Sequence, residues 1–214
     1  YEPELQGWHD AFEANGIVAG HPQPMMDWNA YKRAKIDSEF PDSTFEITSN
    51  SGNDFSTVNS IETLEGNAPI EVASFRINGL TQRVTYPTKT TWRARVGLAN
   101  GPNTLIVEGV GRDGNVITGD TITITLNTVP PSPVDQLVIS EIMYHPIEAA
   151  AEYIEIYNRS ANAYDLAGWH MNGVDLVFDG GAIIDPSEHR VIAENITAYQ
   201  HAYGNAEVVI GDYG

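Results

Sequence analysis

No cysteine occurs among the 214 residues. That absence excludes a disulfide framework, a thiolate nucleophile and cysteine-ligated zinc or iron–sulfur centres, and it leaves the redox compartment unspecified. Basic residues are scarce too: 11 Lys and Arg stand against 29 Asp and Glu, a formal charge of −18 at pH 7. The resulting field repels nucleic-acid phosphates and anionic membrane surfaces, and it suits cations, basic partners or plain solubility. Neither nucleic acid nor membrane insertion is expected. No run approaches the ~20 consecutive apolar residues that cross a bilayer. No basic-then-apolar leader opens the chain, which starts at Tyr1, so the expectation is a processed or excised piece of something longer.

Catalytic signatures are missing as well. The histidines at 9, 21, 145, 170, 189 and 201 never fall into a His-x-x-x-His or His-Glu-x-x-His pattern, which argues against a zinc enzyme. There is no Gly-x-Ser-x-Gly, no Ser-x-x-Lys and no glycine-rich phosphate loop. The glycines of "GVGRDG" lie between two β-like runs and lack the helix N-terminus that a phosphate site uses. Calcium is the candidate ion for so acidic a chain, yet no Asp-x-Asp-x-Asp-Gly loop is present. Its best candidate turns, "NSGNDF", "RDGN" and "DLVFDGG", are equally explained by turn chemistry. No cofactor is expected.

What is present is mostly β texture. A chain of this length buries roughly 70% of the surface its unfolded form exposes, enough for one or two cores. Residues 1–42 stand apart as a helical or irregular segment holding Trp8, Met25, Met26 and Trp28. In "DWNAYKRAKIDSEF" the positions Trp28, Tyr31, Ile36 and Phe40 recur at helical spacing. This predicts a short packing helix from Asp27, its N-cap, to Glu39, with Pro41 just past the end.

From 43 to 128, seven runs are separated by Gly, Asn, Asp and Pro: "FEIT", "SIETLEG", "EVASFRING", "QRVTY", "TWRARV", "NTLIVEGVG" and "VITGDTITITL". Trp92, Ala94 and Val96 share one face by period-2 alternation, as do Ile122, Ile124 and Leu126. "GRDGNV" reads as a tight hairpin and "ANGPN" as another reversal. Residues 129–135, within "NTVPPSPVDQ", form a stiff polyproline-like linker, and 136–214 is again strand-rich, with "ITAYQHAYG" as a helical turn or two. The fold class is therefore mainly β: two tandem immunoglobulin-like β-sandwiches behind a short helical segment, presented end to end.

Polar groups inside the second half are the candidate sites. In "LVISEIMY", strict alternation places Leu137, Ile139, Glu141 and Met143 on one face, so Glu141 is expected buried in an apolar row. A carboxylate there must be paired, hydrogen-bonded or neutral. It is expected to be structural, accepting backbone N–H groups or pairing with Arg159 or Arg190, with Glu155 in a like role. Catalysis would require Glu141, Glu155 and His145 to converge in a pocket. His145, before Pro146, and His189, after "DPSE", are expected in surface loops. "NRS" and "NIT" make Asn158 and Asn195 candidate glycosylation acceptors, with turn residues as the alternative. Trp92, Trp169, Tyr164 and Tyr199 could form a sugar platform, although the two tryptophans lie in strand-like runs that suit a core.

Taken together, "SEIMYHP", "EYIEIYNRS", "DLAGWHM" and "AIIDPSEHRVIAEN" resemble the lamin-tail domain family in its bacterial, secreted form. "TLEGNAPIEVASFRING" and "TTWRARVGLANGPNTLIVEGVGRDGNVITGD" are similar to the immunoglobulin-type module that often precedes it, and "YKRAKIDSEFP" to the end of a spore-coat-kinase-like domain. The resemblance implies an immunoglobulin-like sandwich that serves attachment and is not an enzyme. Family members usually continue past "VVIGDYG", which implies that the final strands are missing and a sheet edge is open. The functional expectation is a structural or adhesive module of an extracellular or cell-surface bacterial protein. It would pair with other chains or copies of itself through sheet edges, as a fibre subunit or fragment. The alternative is a carbohydrate-binding accessory module, with polysaccharide as partner, of a larger extracellular enzyme.

Overall fold

The computed structural model describes residues 2–16, 23–39, 42–205 and 207–214. The chain divides into two compact units, Tyr1–Asp42 and Ser43–Gly214.

The first unit holds two helices, α1 (Glu2–Ala14) and α2 (Gln23–Glu39). The first lies in the segment expected to be helical or irregular, ahead of the one helix that spacing places. Local bonds define it: Gln6 donates to Asp10 at 2.7 Å one turn on, and the Asn15 side chain donates to the Ala11 carbonyl at 2.7 Å. The chain then leaves through Gly16 at a positive φ of 72°, a conformation glycine adopts without steric cost. The second helix begins four residues before Asp27, which is therefore an interior residue and not the N-cap. Pro24 is tolerated in a first turn, where its missing N–H would have no partner anyway, and Met25 and Met26 are good helix formers. Trp28 and Tyr31 are exposed. Phe40, Pro41, His21 and the Ile36 side chain lie outside the described residues.

In the second unit a first sandwich is built from β1 (Glu46–Ile47), β2 (Phe55–Thr57), β3 (Ile61–Asn67), β4 (Ser74–Ile77), β5 (Leu80–Gln82), β6 (Thr91–Gly97), β7 (Gly101–Val110) and β8 (Val116–Leu126). Three strands pair in the order β1-β3-β6, and five in the order β2-β8-β7-β4-β5. Between the sheets lie Trp92, Ala94, Val96, Ile122, Ile124 and Leu126, the two inward rows expected from alternation, together with Leu64, Phe75 and Val107. The Trp92 indole donates to the Asn67 carbonyl at 3.1 Å, which satisfies its one donor inside the core. Gly66 makes room for that ring, since a Cβ at this position would strike both the indole and the Glu46 carbonyl. The "GRDGNV" hairpin joins β7 to β8 and closes with Gly111 N–H on the Asn115 carbonyl. Two segments differ from expectation. "QRVTY" pairs only as far as Gln82 plus one bridge from Thr85 to Arg93, and part of "NSGNDF" becomes β2, parallel to β8.

The second sandwich contains β9 (Leu137–Met143), β10 (Tyr153–Asn158), β11 (Tyr164–Asp165), β12 (His170–Met171), β13 (Leu176–Val177), β14 (Ile183–Ile184), β15 (His189–Ala193), α3 (Ile196–Tyr203) and β16 (Val209–Asp212). A four-stranded sheet, β16-β15-β10-β9, faces the short pairs β11-β14 and β12-β13. Ile156, Leu166, Phe178, Ile184 and Ile192 fill the space between. The helix α3 packs Tyr199 and Tyr203 against Tyr153, rings 5.4 and 5.2 Å apart and edge-on, beside a smaller cluster of Val191, Ala193 and Val209. Asn195 caps α3 by accepting from Ala198 N–H at 3.0 Å, and Gly204 ends it at φ 82°.

The two sandwiches are not strung end to end through the proline-rich connector. They touch along β6 and its neighbours. Arg95 grips Asp185 with two bonds of 2.7 and 2.6 Å, and Gly97 N–H donates to Asp165 at 2.7 Å. Arg83 donates to the Val209 carbonyl at 2.7 Å, and Gly180 N–H to Thr81 at 2.7 Å. Bonds spread over this length fix orientation, which a flexible tether does not.

Candidate functional site

β9 is the outermost strand of its sheet, paired with β10 on one side and, among the described residues, with no strand on the other. Its register jumps: Ile139 stands opposite Ile156 while Glu141 stands opposite Glu155, which leaves Ser140 as an extra residue. A bulge of this kind reverses the phase of alternation. Glu141 therefore shares the outer face with Glu155 and Tyr153, not the inner face with Ile139. It is exposed, contrary to the buried apolar row expected for it. Neither expected cation reaches it. Arg159 donates to the Asp135 carbonyl at 2.6 Å, and Arg190 pairs with Glu188 at 2.8 Å. Instead Glu141 is hydrogen-bonded to Tyr153; burial first, and then this bond, push that phenol well above its ordinary pKa.

Glu155 is the hub of the outer face. One of its oxygens, Oε1, accepts from Ser140 Oγ at 2.6 Å and meets His189 Nδ1 at 2.7 Å. Against burial, which acts to raise it, these two bonds bring the carboxyl below its usual range. His189 is not a loop residue: it opens β15 and stacks on Tyr157, ring centres 4.3 Å apart. The order of groups decides the chemistry. A hydroxyl nucleophile needs an imidazole between itself and the carboxylate, whereas here the carboxylate lies between Ser140 and His189, so the imidazole cannot accept the serine proton. The trio ties β9, β10 and β15 together. His145 is elsewhere, beside Glu148, His201 and Tyr203 around a cavity of about 480 Å3. The convergence of Glu141, Glu155 and His145 therefore does not occur.

Other candidate residues are taken up by structure. Asn158 is 0% exposed. Its amide donates to the carbonyls of Asn162, Ile184 and Asp185 at 2.7, 3.1 and 3.0 Å, and its oxygen accepts from Ser160 N–H and Oγ. A glycan acceptor cannot occupy that place in the folded chain. Asn195 is exposed, with its oxygen engaged in the α3 cap. Trp92, Tyr164 and Tyr199 are buried, so of the four aromatics only Trp169, 47% exposed, could offer a face to a sugar. In the acidic turns, Asp54 accepts from Thr123 N–H and Asp113 from Asn115. Among the described residues no three His, Asp or Glu side chains gather as a metal group.

The free edge of β9 is the feature left unexplained by internal bonding. Ile139 and Ile142 are 56% and 58% exposed, and Tyr144 and Ile147 continue the apolar run into solvent. Beside the strand lies a cavity of about 320 Å3 lined by Leu137, Ile139, Ile156, Leu166, Trp169 and Phe178. Alternation alone conceals this surface, because it assigns half of these residues to a closed core.

Sheets, core and edge together describe a mainly β, immunoglobulin-like module of structural or binding type. Residues 130–212 match the family described as Lamin Tail Domain, whose domains are generally non-catalytic. A solved structure described as "Structures of Clostridium thermocellum CbhA fibronectin(III)-like modules" aligns over 41% of this chain and 100% of that chain. The identity is 13% and the TM-score 0.31. No curated protein matches the chain. Among the described residues no helix is long and apolar enough to cross a membrane.

Proposed function

We propose that this chain is a non-catalytic structural or adhesive part of a secreted or cell-surface protein, and that it assembles by accepting an extended segment of a neighbouring chain along β9. The observation that carries the reading is the outer edge of β9, which no strand pairs among the described residues, flanked by its apolar groove. Unpaired N–H and C=O groups on an edge are a template for another strand, and alternate side chains of the incoming segment would enter the groove. Burying the exposed half of Ile139 and Ile142 yields roughly 2 to 3 kcal/mol, less than association costs in lost freedom even at the low end, about 4 kcal/mol. Two side chains alone are therefore insufficient, and the occupant must pair over most of the strand. The rigid seam between the sandwiches supports a spacing role, and the lamin-tail match supports a structural or binding module.

Light scattering across a concentration series tests this. The protein should associate as concentration rises, and Ile142→Lys, which places a charge on the edge without touching the core, should remain monomeric with an unchanged circular dichroism spectrum. A wild-type chain that stays monomeric throughout, with β9 open to hydrogen exchange, would overturn the reading. Surface-protease digestion of intact source cells tests the location: a chain protected until the cells are lysed would count against it.

A further inference from the structure

Away from β9, a cavity of about 460 Å3 at the junction of the two sandwiches is lined by Arg83, Arg93, Arg95 and Arg190, with Glu207 also on its wall. These are four of the 11 basic residues in a chain of net charge −18, two of them, Arg93 and Arg95, on one face of β6. Three have partners that hold them in place. Arg93 Nε lies 2.6 Å from Glu65, Arg95 is clamped on Asp185, and Arg190 reaches Glu188 and, at 3.2 Å, the Glu207 carbonyl. Arg83 differs. Its one described side-chain bond goes to the Val209 carbonyl, and among the described residues no carboxylate stands within ion-pair distance of it. Arg190, for its part, has its Nε–H enclosed with no acceptor. Partial burial lowers the Arg83 pKa and the neighbouring Arg190 charge lowers it further, while the charges of Asp179 and Asp212 oppose both. Asp179 and Asp212 act on Arg83 through space, but among the described residues neither forms an ion pair with it.

We propose that this cavity binds an oxyanion, the carboxylate, sulfate or phosphate group of a ligand about the size of a monosaccharide, held between Arg83 and Arg190. A planar guanidinium presents paired donors that match such groups. The anion would offset two neighbouring positive charges, Arg190 partly buried and Arg83 exposed, so its hold rests on the paired guanidinium donors more than on exclusion of water. Thr63 and Thr85 line the same space and can donate hydroxyl bonds, while Val84, Ile183 and Ile210 provide an apolar wall for the body of the ligand. The volume is in the range of small-molecule sites, roughly 300 to 1,000 Å3. Because the walls come from both sandwiches, the site exists only while the seam is closed, and a bound anion would reinforce it.

Isothermal titration of the whole chain with inorganic sulfate, inorganic phosphate and glucuronate, each against sodium chloride at equal ionic strength, tests the proposal. Saturable binding is expected for at least one, and the three arms separate tetrahedral from planar anions. Arg83→Gln should weaken it about tenfold, the order of one lost charged hydrogen bond. Arg83→Lys, which keeps the charge and the fold but not the fork, should also weaken it. Arg112→Gln, on the exposed β7–β8 hairpin, should not. Absence of saturable binding for all three anions, or affinity unchanged in both Arg83 variants, would overturn the assignment.

Discussion

Replacing Asn158 by alanine tests the most concentrated set of polar bonds in the second sandwich. The side chain is fully buried, and its two N–H groups serve three carbonyls, those of Asn162, Ile184 and Asp185. Its oxygen receives both the N–H and the hydroxyl of Ser160. Alanine removes every one of these and leaves a void the size of an amide. Each buried polar group left without a partner costs about 1 to 3 kcal/mol. The bond to Ile184 is fully buried, whereas those to Asn162 and Asp185 lie nearer the surface and can recover water. Counting one full loss and partial losses elsewhere gives about 3 to 4 kcal/mol. At roughly 2 to 4 °C per kcal/mol for a unit of this size, Tm should fall by about 6 to 16 °C. Aspartate at the same position keeps an acceptor for Ser160 but cannot donate and adds a buried charge, so it should be at least as damaging at neutral pH. Urea unfolding followed by circular dichroism, with calorimetry alongside, measures both. An alanine variant within 1 kcal/mol of wild type would show that the network does not hold the β10–β14 region together.

Other expectations follow from the same geometry. Glu141→Gln should change stability by less than about 0.5 kcal/mol, because the residue is exposed and glutamine still offers Tyr153 an acceptor; a large loss in a denaturant melt would contradict the outer-face placement. Gly66→Ala should cost about 1 to 3 kcal/mol by forcing the Trp92 ring aside, with a shift in near-ultraviolet dichroism as its signature. Asp185 is held below the usual carboxylate range, first by its hydrogen bond from Arg95 and against burial. Its folded pKa is depressed, so its contribution is present above the unfolded value and is lost as pH falls through the folded one. The stability gap between wild type and Asp185→Asn, under about 1 kcal/mol for a pair this exposed, should therefore close below about pH 4; a gap that persists in acid would refute the assignment. A glycan on Asn158 would block folding, so folded protein made in a glycosylating host should carry any modification at Asn195, as mass spectrometry of the glycopeptides would show.

Much of the first sandwich was legible because its signals are local. Alternation in "TWRARV" and "TITITL" assigns inward rows correctly wherever a strand runs unbroken, and Asp-Gly-Asn at the β7–β8 turn satisfies a tight reversal by its own backbone preferences. The candidate site was less legible. Counting by twos through "LVISEIM" fails at Ser140, because nothing in the residue itself announces a bulge; the pairing demands of β10 impose it. The arginine cavity was hard to read along the chain too: Arg93 and Arg95 share β6, but Arg83 follows β5 and Arg190 lies on β15 of the other sandwich.

The sequence by itself determined the β class of the second unit, its turns, its acidity, and the absence of thiol and His-motif chemistry, all of which follow from composition and near-neighbour spacing. Only the tertiary structure decided which face Glu141 occupies, that Glu155 joins Ser140 to His189, that Asn158 is sealed inside, and that β9 is the end strand of its sheet. The reason is physical: burial and partnership depend on which distant strand arrives alongside and in what register, and hydrophobic periodicity carries the phase of a strand only until the first bulge.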